Sequence, residues 1–307
     1  MPYAIDLFCG AGGCSEGLIQ AGFHILFSSD ISDMVEKTYV HRHKQLGLIQ
    51  GENTWFERAD IRDLTGDVIK KCIQSLKIFE HENVPDIDLM IGGPSCQGFS
   101  RVGRRDKNDP RNMLFGEYVR VISEMRPKYV VLENVEGFMD MQFFGYKGYT
   151  GELYPDGSTT PYILQNELQK IGYQTLDPRI LNAADYGVPQ RRRRVIFIAY
   201  REGEKEPKYP KPILNKEEYI TLKDAIGDLE KDSFIHEHEM SEFQKESQKG
   251  RTPAMNGEVI STSNLANTEV SNITPAVKER FSLFHEGETC AMLRQRIQKE
   301  GIDLSDK

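Results

Sequence analysis

Cys96 stands in the run Gly92-Gly-Pro-Ser-Cys-Gln-Gly-Phe-Ser100, immediately after a short apolar stretch that reads as a buried strand. A free cysteine is ordinarily a small buried hydrophobe. One in a turn-forming loop past a strand end would instead be open to a cleft, where cations or a helix terminus favour the thiolate, the form that acts as a nucleophile. The bland alternative is a packing cysteine at a turn. Glu133, in Glu133-Asn134-Val135, follows the apolar run YVVL. An acid there is costly to bury unless it is paired or protonated, and a protonated one would suit a proton donor. The alternative is a structural carboxylate bonded to backbone donors. Gln190-Arg-Arg-Arg-Arg194 leads into VIFIAY. Charge runs are more often solvated faces than sites. On a strand, however, side chains alternate, so Arg192 and Arg194 share one face and offer two guanidiniums for a phosphate or a base carbonyl. A second basic cluster, Arg101, Arg104, Arg105, Lys107 and Arg111, follows Cys96 and could close over a polyanion.

A second group of residues suits a small ligand. In Asp6-Leu-Phe-Cys-Gly-Ala-Gly-Gly13 a glycine-rich turn joins a strand to a helix and lets a ligand approach the backbone. The dinucleotide fingerprint needs a third glycine where Ser15 stands, so the pyrophosphate reading fails and a nucleoside-bearing ligand without a diphosphate fits better. Asp30 and Asp60 follow the next two strands. Each could accept hydrogen bonds from ribose hydroxyls or an adenine amino group, or could simply cap a helix. The pairs His41/His43 and His236/His238 have HxH spacing but no accompanying ligands, so surface positions are expected and no metal site.

The elements that must hold these residues alternate between short apolar runs and helical patterns, which implies an α/β protein with a mostly parallel sheet and helices on both faces. Strands are expected at Tyr3–Phe8, His24–Ser28, the stretch entering Ala59–Leu64, Asp86–Ile91, Lys128–Glu133, Thr175–Leu181 and Val195–Tyr200. Helices are expected at Ser15–Ala21, Ser32–His41, after Leu64 to Phe79, Leu114–Met125, Pro161–Ile171, Thr221–Leu229 and Pro275–Lys299. Lys44–Glu57 and Phe143–Thr160 read as loops. In open α/β sheets ligands bind outside the carboxyl ends of the strands. The glycine turn, Asp30, Asp60, the cysteine loop and Glu133 all follow strand ends, so a parallel sheet would gather them on one edge.

The chain has 307 residues, enough for one large domain with part of a second. Its five cysteines form no CxxC pair, which points to reduced thiols in a cytosolic protein, and no apolar run is long enough to span a bilayer. A net charge of −8 argues against a whole surface coated by nucleic acid, though not against local basic patches.

DLFCGAGG, GGPSCQGFS, ENV and QRRRR, in this order and at these intervals, together resemble the cytosine-5 DNA methyltransferase family, from about Ala4 to Tyr200 with a looser echo in Thr221–Leu229. The resemblance implies a Rossmann-like fold dependent on S-adenosylmethionine and acting on double-stranded DNA. It implies that Phe8, Gly10, Gly12, Asp30, Ile31, Asp60, Pro94, Asn112 and Leu114 line the cofactor pocket. Cys96 would be the nucleophile, Glu133 the contact to the cytosine N3 edge, and Arg192 and Arg194 the grip on a flipped nucleotide. Gln97, Ser100, Arg101, Asn134 and Gln190 would contact the substrate. Residues 1–203 are expected to form the cofactor-binding and catalytic domain, and residues 204–307 a charged, partly helical extension toward a target-recognition domain. Because no closing segment is legible after Tyr200, the reading expects a truncated or split enzyme, with a second polypeptide supplying the recognition domain. It also expects a bacterial cytoplasmic protein, nucleoid-associated when bound to DNA, of the kind found in restriction-modification systems. The alternatives are a tRNA cytosine-5 methyltransferase, a silent subunit that binds DNA or cofactor, and, at fold level, a nicotinamide dehydrogenase.

Overall fold

The computed structural model describes residues 1–80, 83, 85–94, 113–229, 240–261, 272–285 and 287–301. They divide into two compact units, Met1–Thr262 and Ser263–Lys307, and the described residues from 204 to 261 fall in the first.

The first unit is organised by one sheet. Its strands are β1 (Tyr3–Leu7), β2 (His24–Asp30), β3 (Trp55–Arg58), β4 (Leu89–Gly92), β5 (Tyr129–Asn134), β8 (Tyr173–Thr175), β9 (Arg179–Asn182) and β10 (Arg193–Arg201). The spatial order is β3-β2-β1-β4-β5-β10-β8, with β9 also paired to β10. The pairings β1–β2, β2–β3, β1–β4 and β4–β5 are parallel. The chain therefore winds outward from β1 to β3 and then returns to lay β4 on the other side of β1. The switch in winding direction falls between β1 and β4, and such a switch opens a crevice at the strands' carboxyl ends.

Helices α1 (Gly13–Gln20) and α2 (Asp33–Gln45) follow β1 and β2, while α4 (Leu114–Met125) packs against both α3 (Gly66–Gln74) and α5 (Thr160–Lys170). Strand alternation decides what each layer receives. On β1, Ile5 and Leu7 enter the large core with α3, α4 and α5, whereas Ala4 joins Leu18 and Ile19 of α1. The α4 segment buries Phe115, Tyr118, Val119, Val121, Ile122 and Met125 at helical spacing. A fully buried apolar side chain of this kind contributes roughly 1.5–3 kcal/mol. The starts of α2 and α3 are set by Ser32 and Thr65, whose side chains accept from the amides of Val35 and Val68.

Several expectations need correction. Lys44–Glu57 is not all loop, because α2 runs to Gln45 and Trp55–Arg58 forms an edge strand whose charged residues hid it. Thr175–Leu181 is two short strands separated at Asp177-Pro178, since proline has no amide for the ladder. Both pair antiparallel with β10, which is itself antiparallel to β5. Within Phe143–Thr160 a short ladder forms between β6 (Gln142–Phe143) and β7 (Ser158–Thr159). The buried Glu167 carboxylate of α5 braces that region by accepting from the Thr150 amide, the Thr150 hydroxyl and Tyr154. Between Tyr200 and Thr262 lie α6 (Leu222–Ile226) and α7 (Glu242–Gln248).

In the second unit, Pro275–Lys299 is two helices, α8 (Pro275–Ser282) and α9 (Cys290–Glu300), each with its own threonine cap, Thr274 and Thr289. Arg296 holds the Glu288 carboxyl down to about 2. Among the described residues no helix is long and apolar enough to cross a membrane.

Candidate active site

The switch point lies between the turn after β1 and Gly93-Pro94, which follow β4. Phe8, Gly10 and Gly12 of the turn all have positive φ, 58°, 52° and 96°. The turn is tied to β2 twice, by the Cys9 amide to Ser29 O at 3.1 Å and by the Gly10 amide to Asp30 Oδ2 at 3.1 Å. A Cβ on Gly12 would lie 2.8 Å from the His43 ring, so only glycine fits there. Phe8 meets Tyr118 edge-on, with centroids 6.5 Å apart. Tyr118 reaches across the sheet to the carbonyls of Met90 and Val131, and a Cβ on Gly92 would strike its ring at 2.7 Å.

Asp30 accepts from the Gly10 and Ser32 amides and is not a helix cap; the cap of α2 is Ser32. Ile31 beside it is 66% exposed, a large apolar side chain left open at a strand end. Asp60 follows β3, where the Arg62 guanidinium and amide hold its carboxyl below the usual carboxylate range. Leu114 opens α4, partly buried against the core.

Glu133 and Asn134 separate by strand alternation. Val130 and Leu132 enter the large core, and Asn134 follows their face; Glu133 follows Tyr129 and Val131 to the other side. Asn134, expected to touch the substrate, is buried; its amide donates to Pro94 O at 3.1 Å and its own oxygen receives the Val135 amide. It therefore anchors Pro94, two residues before Cys96. Glu133 is partly exposed and paired: Arg194 Nε lies 2.9 Å and Arg192 Nη2 3.9 Å from its Oε1. The arginines divide as expected, with Arg193 turned to Glu136 at 3.0 Å. They reach Glu133 because β10 is antiparallel to β5, so that its first residues meet the end of β5, Val195 opposite Asn134 and Ile196 opposite Glu133. Gly93 sits against the same carboxylate, where a Cβ would lie 3.5 Å from Glu133 Oε2. Gln190 is exposed in the preceding turn.

Cys96, Gln97, Ser100, Arg101 and Asn112 lie outside the described residues, as do Arg104, Arg105, Lys107, Arg111, His236 and His238. His43, expected at the surface, is buried and stacks on Tyr39 at 3.7 Å, because positions four apart in α2 share its inward face. Sequence reasoning missed Asp6, Ser15, Ser28 and Tyr39, a buried polar group behind the glycine turn. A polar Asp6 between apolar strand residues was the one available signal.

The layered parallel sheet, the glycine turn at its switch point and the carboxylate ending β2 are those of a Rossmann-like methyltransferase. The profile of the C-5 cytosine-specific DNA methylase family matches residues 3–302, past both Tyr200 and the looser echo at Thr221–Leu229, and the chain belongs to that family. It is 37% identical over 229 residues to the type II methyltransferase M.XorII of Xanthomonas oryzae pv. oryzae, covering 74% of this chain and 46% of that one. It is 36% identical over 243 residues to M1.HphI of Haemophilus parahaemolyticus, covering 76% and 56%. A solved structure described as a DNA modification methyltransferase encoded within an E. coli prophage superposes with a TM-score of 0.51 at 28% identity, covering 74% of this chain and 54% of that one. The chain spans about half the length of these relatives.

Proposed function

We propose that the protein methylates carbon 5 of cytosine in double-stranded DNA, as the modification enzyme of a restriction-modification pair, with S-adenosylmethionine as methyl donor. The observation that carries the reading is the meeting of Glu133 with Arg192 and Arg194 beside Asn134, which holds Pro94, two residues before Cys96.

The residues present fit the cofactor. A turn open in front of Gly10, the Asp30 carboxylate and the uncovered Ile31 side chain offer backbone access, a ribose acceptor and an apolar face for a purine. Phe8, Gly10, Gly12, Asp30 and Ile31 would hold it, with Asp60, Pro94, Leu114 and, by sequence, Asn112 around them. When bound, S-adenosylmethionine supplies an electrophilic methyl group.

The chain's own residues have to make cytosine nucleophilic. Attack of the Cys96 thiolate on C6 forms a carbon–sulfur bond and moves an electron pair toward C5. A hydrogen bond or proton from Glu133 at N3 stabilises the negative charge displaced into the ring. After C5 is methylated, loss of its proton returns the electron pair to the ring and expels Cys96. Arg194 and Arg192 orient Glu133 and offer their remaining donors to the extruded nucleotide. The base must leave the stack, at a cost of roughly a few kcal/mol. Gln97, Ser100, Arg101 and Gln190 are assigned to its surroundings on sequence grounds. Asn134 acts indirectly, by fixing Pro94.

The test is transfer of labelled methyl groups from S-adenosylmethionine by the full chain to duplex DNA and to tRNA, with trapping on duplex DNA containing 5-fluorocytosine. Label at C5 of DNA cytosine and a covalent adduct lost in Cys96→Ser are expected. Label appearing only in tRNA, or transfer without an adduct, would refute the substrate or the covalent step.

A further inference from the structure

Behind the glycine turn, four polar side chains from four successive elements form one hydrogen-bonded file. Ser15 Oγ of α1 donates to Asp6 Oδ2 of β1 at 2.6 Å. The Tyr39 hydroxyl of α2 lies 2.7 Å from Ser15 Oγ and 2.5 Å from Ser28 Oγ of β2. All four residues are at most 2% exposed. Donation from Ser28 to Tyr39, Tyr39 to Ser15 and Ser15 to Asp6 gives every hydroxyl one bond donated along the file, ending at the carboxyl. The Tyr39 ring carries the file to the turn itself. It stacks on His43 at an interplanar angle of 10°, and the two rings press against Gly12, whose Cβ would lie 2.8 Å from one and 3.2 Å from the other. His43 is fixed in turn by its Nδ1 at 2.9 Å from Tyr39 O, and its buried Nε2 has no partner among the described residues.

A wholly apolar contact between these layers would avoid the cost of burying four polar groups. The file instead joins β1, α1, β2 and α2 at one point, directly beneath the backbone proposed to hold the cofactor. We infer that Asp6, Ser15, Tyr39 and Ser28 are positioning residues for S-adenosylmethionine, holding the Phe8–Gly12 turn in its binding conformation through the Tyr39–His43 ring pair. The inference rests on the cofactor assignment made above.

Tyr39→Phe keeps the ring stack and removes only the hydroxyl; Ser28→Ala shortens the file from its far end and carries the test should the first variant fail to fold. Two readouts are taken well below the melting temperature: the dissociation constant for S-adenosylmethionine by calorimetry, and amide hydrogen exchange at Gly10, Gly12 and Gly13 in the ligand-free full chain. Losing both bonds of the tyrosine hydroxyl is expected to weaken cofactor binding about tenfold and to speed exchange at the turn. Binding within twofold of wild type in the folded variants overturns the inference, whether or not exchange changes, because the file would then serve the fold alone. Wild-type protein that fails to bind the cofactor overturns the cofactor assignment and this inference together, whereas normal wild-type binding with unaffected variants overturns only the inference.

Discussion

Replacing Asp6 by asparagine is expected to make the protein more stable than wild type above neutral pH, against the usual sign for an acid. Burial pushes the Asp6 carboxyl up from 3.8 to about 7, with the Ser15 hydrogen bond opposing and Asp30 reinforcing the shift. A raised folded value means the native state holds a proton that the unfolded chain has released. The neutral acid's contribution is therefore fully present below about pH 3.8 and is lost as pH rises through about 7. A shift of about three pH units, at roughly 1.4 kcal/mol each, amounts to about 4 kcal/mol at most. Asparagine retains an oxygen to accept from Ser15 and never ionises, so it lacks this loss. Urea unfolding of both proteins at intervals from pH 4.5 to 8 measures the effect. The stability of Asp6→Asn relative to wild type should climb by about 3 kcal/mol over that range and level off above pH 7. A difference that stays constant with pH would show that Asp6 does not ionise there and would refute the reasoning.

Other outcomes follow from the same contacts. Glu133→Gln should lower methyl transfer to DNA by about 10²–10⁴-fold with little change in cofactor affinity, since general acid assistance is typically of that size. Equal rates in single-turnover assays would remove Glu133 from the chemistry. Gly12→Ala combines a left-handed backbone with a 2.8 Å approach to the His43 ring. It is expected to cost about 1–3 kcal/mol in thermal unfolding and to weaken cofactor binding as well. Asn134→Ala leaves the Pro94 carbonyl unpaired in a buried place and should cost about 1–3 kcal/mol. Because it releases Pro94, two residues before Cys96, it should also slow adduct formation on 5-fluorocytosine DNA more than it weakens cofactor binding. Tyr118→Phe should lose roughly 1 kcal/mol of stability in urea titrations, as its hydroxyl is buried between two carbonyls.

The sequence determined what is local. Strand ends followed by glycine, aspartate or glutamate were readable because strand length, turn chemistry and alternation act over a few residues. The same short-range rule put Arg192 and Arg194 on one face, and α4 ran over the expected Leu114–Met125. Alternation could also have separated Glu133 from Asn134, since adjacent residues of a strand point oppositely. Tertiary structure decided the rest. Only the antiparallel return of β10 brings Arg192 and Arg194 to Glu133, and no local pattern specifies which neighbour a strand will choose. Only the packing of α1 and α2 on β1 and β2 joins Asp6, Ser15, Ser28 and Tyr39, and turns His43 from a surface candidate into the floor beneath Gly12. A buried polar contact is defined by partners distant in sequence, and its energy depends on the water that folding excludes around it, which no single stretch of the chain can record.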